Sequence, residues 1–210
     1  MDGNNRWSTK KKISKFESYK KGAIKLLKIS DYIFDKYKPD YISAYALSSH
    51  NVSRKANFLK IFDSVFNYFL NQYSLFNINF KILFIGDLSI FNKEIVNKLK
   101  SIEKKNNHSK FTLLIFINYS GQSDIINSIN ISKGKNITKS NFLKFLSTKE
   151  IPDPEILFRS GGFKRISDFM LYQLSFTELF FSKKLWPDIS NKDIDNFLSY
   201  YLKIERKFGH

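Results

Sequence analysis

The chain has 210 residues, of which 42% are hydrophobic, and it contains 22 phenylalanines and 11 tyrosines but no cysteine. This composition argues against intrinsic disorder and excludes disulfides, thiolate nucleophiles and zinc sites built on cysteine. A formal net charge of +16 favours an anionic partner: a nucleic acid, an anionic membrane surface or a phosphorylated small molecule.

Helical and strand-like segments alternate along the first half of the chain. Apolar residues recur at helical spacing, then give way to short apolar runs that end in polar or turn residues. Continuous apolar strands between helices are typical of a sheet covered on both faces. Asn92 is a candidate cap for one of the helices. The pattern predicts helices over 23–37 and 58–70, a helix after Asn92, and strands over 41–47, 80–85 and 111–117.

The second half is less regular. Residues 132–150 are rich in lysine, serine and asparagine, and we interpret them as a surface excursion with one short helix. A strand over 155–158 is expected to lead into Arg159 and a Gly-Gly turn. The remaining pattern predicts a helix over 166–174, a strand over 176–181 and an amphipathic helix over 193–208. No composition shift marks a second domain, so we expect one α/β domain over 1–210 with a central, mostly parallel sheet flanked by helices.

Two polar clusters have a composition that suits the binding of a metal ion or a phosphate group. The first, Met1-Asp-Gly-Asn-Asn-Arg-Trp7, stands at the start of the sequence without a preceding strand to support it. Chain ends are usually frayed and polar for no functional reason. Two interpretations therefore stay open: the start is clipped and a supporting strand is missing, or Asp2 is loosely held.

The second cluster, Arg159-Ser-Gly-Gly-Phe-Lys-Arg-Ile-Ser167, follows a predicted strand. Ligands of open α/β sheets bind beyond the carboxyl ends of the strands. Guanidinium forks match diphosphates well, and carboxylates such as Asp2 and Glu178 are suitable ligands for Mg²⁺. For Glu178, spacing alone favours an ordinary surface acid. Polar residues that follow the other predicted strands are Ser48, Ser49, His50, Asn51, Arg54, Asp87 and Asn118.

At these residues the sequence resembles the cis-prenyltransferases, the family of undecaprenyl diphosphate synthase and other isoprenyl transferases. The resemblance extends over nearly the whole chain, and the order and spacing of its motifs make it specific. The motifs are the two clusters, Tyr45-Ala-Leu-Ser-Ser-His-Asn51 with Arg54, Gly86-Asp-Leu-Ser89, Asn118-Tyr-Ser-Gly121, Pro152-Asp153, Glu178-Leu-Phe-Phe181, Trp186-Pro-Asp188 and Arg206-Lys-Phe-Gly209.

The resemblance implies repeated condensation of isopentenyl diphosphate onto an allylic diphosphate, with cis double bonds. Asp2 would hold Mg²⁺ on the allylic diphosphate, with Glu178 as the second carboxylate near the metal. The position of Asn51 is assigned to proton removal, but a neutral amide is a poor base, so we expect it to orient substrate or relay the proton. Substrate contacts are expected from Gly3, Asn4, Asn5, Arg6, Trp7, Lys15, Tyr19, Ser48, Ser49, His50, Val52, Arg54, Arg159, Arg165, Ile166 and Ser167.

The family also implies a homodimer, a hydrophobic substrate tunnel whose depth limits product length, and a membrane-associated product. We expect a cytoplasmic protein that can lie peripherally at the membrane, and no apolar run is long enough to cross a bilayer. The aromatic stripe over 58–70 is interpreted as core rather than as tunnel lining, from periodicity alone.

Several positions depart from the family pattern. Asn5 replaces a glycine, so its side chain would narrow the site or its backbone would need a left-handed conformation. Lys15 and Tyr19 stand where the family has an arginine and a histidine. The other departures are His50 and Val52 for a glutamate and a tryptophan, Phe163 for an acid, Asp168 for an amide and Lys207 for an arginine.

Two alternatives to an active enzyme follow. Tyr19, Val52 and Phe163 suggest a catalytically impaired prenyltransferase-like subunit that supports a partner. A basic nucleic-acid-binding domain draws on net charge alone and lacks a recognisable binding motif, so we expect no nucleic-acid partner.

Overall fold

The computed structural model describes residues 1–52, 56–73, 76 and 78–205, so Arg54 and the Arg206–Gly209 motif lie outside the described residues. The helices of the described part are α1 (Asn4–Lys11), α2 (Lys15–Tyr37), α3 (Ser49–Val52), α4 (Ala56–Tyr73), α5 (Lys93–Glu103), α6 (Gly121–Ser132), α7 (Lys139–Phe142) and α8 (Asn191–Tyr201). The strands are β1 (Tyr41–Ser48), β2 (Lys81–Ile85), β3 (Thr112–Tyr119), β4 (Ile156–Arg159) and β5 (Glu178–Phe181).

A three-stranded parallel sheet in the order β1-β3-β2 forms the centre of the molecule. The strands are in phase, because Tyr41 of β1 and Lys81 of β2 both lie opposite Thr112 of β3. Their carboxyl ends therefore meet at one edge, as the sequence pattern predicted.

The middle strand is apolar on both faces because both faces are covered. Leu113, Ile115 and Ile117 pack into the larger core cluster, together with residues of α2, α4, α5 and α8. Leu114 and Phe116 point to the other face and pack with Phe169 and Met170. This alternation places every large side chain of β3 in a core, which explains why no polar face is visible in its sequence.

The strands β4 and β5 form a separate two-stranded parallel sheet. The expected central, mostly parallel sheet is present, but the strand that leads into Arg159 pairs with the strand of Glu178 instead of extending that sheet. In this pair Ile156 lies opposite Glu178 and Arg159 lies opposite Phe181.

The structure contains a helix that was not predicted, and two predicted helix boundaries differ from the observed ones. The first motif forms helix α1, which was not predicted, and α2 begins at Lys15 because the Ser14 hydroxyl caps the Glu17 amide. The terminal helix ends at Tyr201, since Leu202, the next residue on its apolar stripe, is 70% exposed.

The predicted helix over 166–174 is wrong. This segment is a series of turns in which Ser167, Asp168 and Met170 have positive φ angles of 55°, 63° and 46°. A right-handed helix cannot pass through such residues. The turns instead carry Phe169 and Met170 into the core beneath the site.

Candidate active site

Both the backbone amide and the backbone carbonyl of Asp2 are hydrogen-bonded. The Ser160 hydroxyl accepts from the Asp2 amide and donates to the Asp2 carbonyl, at 3.0 Å in each case. The Trp186 amide also donates to the Asp2 carbonyl, at 3.0 Å. The interpretation of a loosely held Asp2 is therefore wrong, because contacts from residues more than 150 positions away along the sequence fix it.

The Asp2 carboxylate bridges two guanidinium groups. Oδ2 accepts from Nη2 of Arg159 at 3.0 Å, and Oδ1 lies 3.3 Å from Nη2 of Arg6. Burial opposes ionisation of Asp2, but hydrogen bonds and charges of Arg159 and Arg6 hold its pKa below the ordinary value. The carboxylate is thus ionised at neutral pH and joins both sequence clusters in one site.

Two glycines allow this close approach. A Cβ on Gly161 would lie 2.7 Å from Nη2 of Arg6 and 3.0 Å from Cγ of Asp2, and its φ is +91°. A Cβ on Gly3, with φ +108°, would lie 2.8 Å from Cδ2 of Leu185. Only glycine fits these positions without displacement of the neighbouring groups.

Helix α1 turns its amino end toward this cluster. Gly3 is the N-cap and provides no side-chain hydrogen bond to the first amides, and the first turn contains no acidic residue. Such an end is suited to an anion, since its amides lack helical partners and the helix dipole is positive there. Asn5 lies inside the helix and is exposed, so of the two alternatives for this residue the left-handed backbone is wrong.

Trp7 fixes the other side of α1. It is 5% exposed, and its Nε1 donates to the Asp188 carboxylate at 2.8 Å. Asp188 belongs to the Trp186–Asp188 turn whose backbone also holds Asp2. Trp7 therefore anchors the helix, which explains its place in the motif structurally.

Arg159 connects the site to the following turn. Its Nη1 donates to the Ser167 hydroxyl at 2.7 Å and to the Arg165 carbonyl. Its Nε is buried and has no partner among the described residues. A buried donor without a partner is costly, so the contacts of Nη1 and of Nη2, which donates to Asp2, must offset that cost to hold the arginine in place. Ile166, between these contacts, is half-buried.

The same turn reaches the carboxyl end of β1. Nε2 of His50 lies 3.3 Å from Oδ2 of Asp168, while Oδ1 of Asp168 accepts from the Gln122 amide at 2.9 Å. Asn51 is exposed beside His50 on α3. The sequence identified Asp168 only as a departure, although it connects α3 and α6 to the turn that contains Arg165. Partly buried at the same strand end are Ser48, Ser49 and Val52.

Tyr19 and Lys15 lie on the first turns of α2, with different surroundings. Burial, followed by the charge of Asp2, raises the pKa of Tyr19, so its hydroxyl remains protonated at neutral pH. Tyr19 lines a cavity, whereas Lys15 is exposed at the start of the helix.

The cavity beside Tyr19 is predominantly apolar and has a volume of about 60 Å³. It lies between α2, α4 and the central sheet, and its lining includes the polar side chains of Asn4 and Tyr19. Phe62, Phe66 and Phe69 of α4 are core residues, as predicted, and they line the cavity as well. Its lining is Met1, Asn4, Tyr19, Gly22, Ala23, Leu26, Ala46, Phe62, Val65, Phe66, Phe69, Ile115 and Trp186.

Glu178 and Asp2 do not share one end of the strand pair. Asp2 contacts Arg159, which lies opposite Phe181, three positions beyond Glu178. At about 3.3 Å per residue, this places Glu178 roughly 10 Å back along the strand. Among the described residues there is no group of three or more histidine or acidic side chains positioned to hold a metal. Asp2, in contrast, directly contacts both Arg6 and Arg159.

Comparisons with known proteins identify one family. A family model described as putative undecaprenyl diphosphate synthase matches residues 1–209. An isoprenyl transferase of Rickettsia typhi is 33% identical, over 100% of this chain and 95% of its own length. A ditrans,polycis-undecaprenyl-diphosphate synthase of Wigglesworthia glossinidia brevipalpis, named as (2E,6E)-farnesyl-diphosphate specific, is 33% identical over 100% of this chain and 85% of its own.

Solved structures have the same fold. Lavandulyl diphosphate synthase from Lavandula x intermedia superposes with a TM-score of 0.90 at 23% identity, covering 100% of this chain and 95% of that one. A probable undecaprenyl diphosphate synthase from Campylobacter jejuni gives 0.77 at 25% identity, covering 90% and 92%. The α/β architecture predicted from the sequence is thereby confirmed.

Proposed function

Because the chain belongs to the undecaprenyl diphosphate synthase family, we propose that it is an isoprenyl transferase. It condenses isopentenyl diphosphate with an allylic diphosphate and releases a cis-polyprenyl diphosphate. The observation that carries this proposal is the placement of Asp2 between Arg6 and Arg159, with its sequence neighbour Met1 in the lining of the apolar cavity. An anion site beside an apolar cavity suits a substrate with a diphosphate head and a hydrocarbon tail.

The allylic substrate occupies the amino end of α1. Its diphosphate is bound by the first amides of the helix and by Arg6, while its prenyl tail enters the cavity past Asn4 and Tyr19. A helix amino end and a guanidinium both stabilise negative charge. They therefore stabilise the diphosphate as it leaves, when its charge increases.

The second substrate, isopentenyl diphosphate, is bound by Arg159, Arg165 and Ser167. The contact of Arg159 Nη1 with the Ser167 hydroxyl, at 2.7 Å, supports this assignment, because it holds a guanidinium and a hydroxyl side by side as a diphosphate requires. Asn51, at the carboxyl end of β1, orients this substrate or relays the proton that it loses. Arg54 belongs to the same proposal on the sequence motif alone.

Mg²⁺ fits this site through Asp2. The carboxylate is ionised and 32% exposed, and Mg²⁺ is commonly held by one or two carboxylates together with substrate phosphates. When bound, the ion supplies positive charge for the departing diphosphate. Glu178 as a second carboxylate stays a prediction, because the register of β4 and β5 separates it from Arg159.

Assembly and location extend the proposal. We propose a homodimer, supported by Ile126, Ile129 and Ile131 of α6, which are 59%, 51% and 61% exposed. Light scattering on the purified protein measures this directly.

None of the helices in the described ranges combines the length and hydrophobicity that a bilayer crossing requires. Peripheral contact with a membrane through the lipid product is part of the proposal.

The test is incubation of the purified protein with farnesyl diphosphate, labelled isopentenyl diphosphate and Mg²⁺. We expect extractable polyprenyl diphosphate, and folded protein that yields none would refute the proposal. Retention of the contacts between Arg6, Asp2 and Arg159 speaks against an impaired subunit, which would act only in the presence of an active homologue.

A further inference from the structure

The ring of Phe163 lies among the arginines of the site. The guanidinium carbon of Arg165 is 4.3 Å from the ring centroid, that of Arg6 is 4.8 Å away and that of Arg159 is 6.0 Å away. All three distances fall within the range of cation–π attraction. Phe163 is 42% exposed, so its ring is not explained by core packing.

The three guanidinium groups carry more charge than the site neutralises. Asp2 pairs with Arg6 and Arg159, and within the described part of the chain Arg165 forms no ion pair. Like charges that are drawn together repel one another, so the arrangement needs an attractive group. An aromatic face attracts cations through its quadrupole without cancelling their charge.

The two closest arginines come from different parts of the chain. Arg6 lies on α1, whereas Arg165 lies in the turn that follows β4. Phe163 follows the Gly161–Gly162 turn, whose amides donate to the carbonyls of Lys184 and Ser182 at 2.7 and 2.8 Å. The ring is thus carried by an anchored backbone between two long, flexible cationic side chains.

We propose that Phe163 is a positioning residue that preorganises Arg6 and Arg165 for diphosphate binding while leaving their charge available to the ligand. Fewer rotamers then have to be ordered when a diphosphate binds, which strengthens binding. The identity of the ligand rests on the proposed function. One residue would thereby influence both diphosphate sites, since Arg6 belongs to one and Arg165 to the other.

Titration with inorganic diphosphate, without Mg²⁺ or prenyl substrate, tests this directly. Phe163→Leu keeps an apolar side chain but removes the aromatic face, and Phe163→Tyr keeps both ring and shape. We expect Phe163→Leu to weaken binding by about three- to tenfold and Phe163→Tyr to stay within about twofold of the unmodified chain. Phe176→Leu, at another exposed phenylalanine (61%), is the matched control and should bind normally.

Steady-state kinetics provide a second readout. Phe163→Leu should raise KM for both substrates while kcat changes little, because the ring acts on binding and not on the reacting atoms. Unchanged melting temperatures would establish that the variants are folded.

The inference is overturned if Phe163→Leu binds diphosphate like the unmodified chain, if Phe163→Tyr loses as much as Phe163→Leu, or if the unmodified chain binds no diphosphate. Failure of the proposed function has a different signature: no polyprenyl product, with diphosphate binding and its dependence on Phe163 intact.

Discussion

The arginine cluster, formed by Arg6, Arg159 and Arg165 around Asp2, and the apolar cavity depend on different kinds of contact. The cluster depends on single atoms, such as the Ser160 hydroxyl and the two carboxylate oxygens of Asp2. The cavity depends on the volumes of side chains that α2 and α4 contribute. A change at the cluster should therefore affect binding and turnover, whereas a change at the cavity should affect which product is made.

The largest effect is expected at Asp2. Asp2→Ala removes the carboxylate that bridges Arg6 and Arg159 and that would hold Mg²⁺, so turnover should fall by about 100-fold or more. Product formation and circular dichroism are measured together, and Asp31→Ala on the exposed side of α2 is the control. Turnover within a few-fold of the unmodified chain would contradict the role assigned to Asp2.

The next largest effect is expected at Gly161, where the backbone lies close to Arg6 and Asp2. Gly161→Ala places a Cβ against Arg6 and Asp2, and we expect a loss of about 1–3 kcal/mol in stability together with reduced turnover. Gly134→Ala is a matched control, because Gly134 also has a positive φ, of 76°, but open space around its Cβ position. Equal losses of turnover in the two variants would show that backbone strain, and not crowding of the site, is responsible.

A smaller change in rate, with a change in product, is expected in the cavity. Phe66→Leu enlarges the cavity, so the chain length of the product should increase by about one isoprene unit or more, at a stability cost of about 1 kcal/mol. Chain-length analysis of the products measures this. Phe80→Leu is the control, since Phe80 is 1% exposed in the core and does not line the cavity. An unchanged product with Phe66→Leu would mean that the cavity is not the tail site.

The smallest effect is a pH dependence of stability that is expected for the arginine cluster and not for the cavity. The pKa of Asp2 is lowered in the folded protein from an ordinary value of 3.8, so its stabilising contribution is present above that value and is lost as the pH falls through the folded pKa. The difference in melting temperature between the unmodified chain and Asp2→Asn should therefore shrink on acidification below about pH 4. The corresponding difference for Phe66→Leu should not depend on pH, and a matching pH dependence would contradict this assignment.

Much of the fold was predictable because its signal is local. The helical stripe of α4, the Asn92 cap of α5 and the apolar run of β3 each repeat within a few residues, and the structure confirms them. The segment over 166–174 has a similar apolar spacing, yet it forms turns. Asp168 in this segment contacts α6 and α3, and no periodicity records such long-range contacts.

The members of the site were also visible as motifs, because a diphosphate requires arginines, hydroxyls and glycines that stand out along the chain. Their arrangement was not visible. That Asp2 is clamped by Ser160, that Glu178 lies at the other end of its strand pair and that three arginines surround Phe163 are consequences of long-range packing. Local hydrogen bonding and hydrophobic periodicity are determined by residues close together in the sequence. Contacts between residues 150 or more positions apart depend instead on how the helices and strands pack against one another.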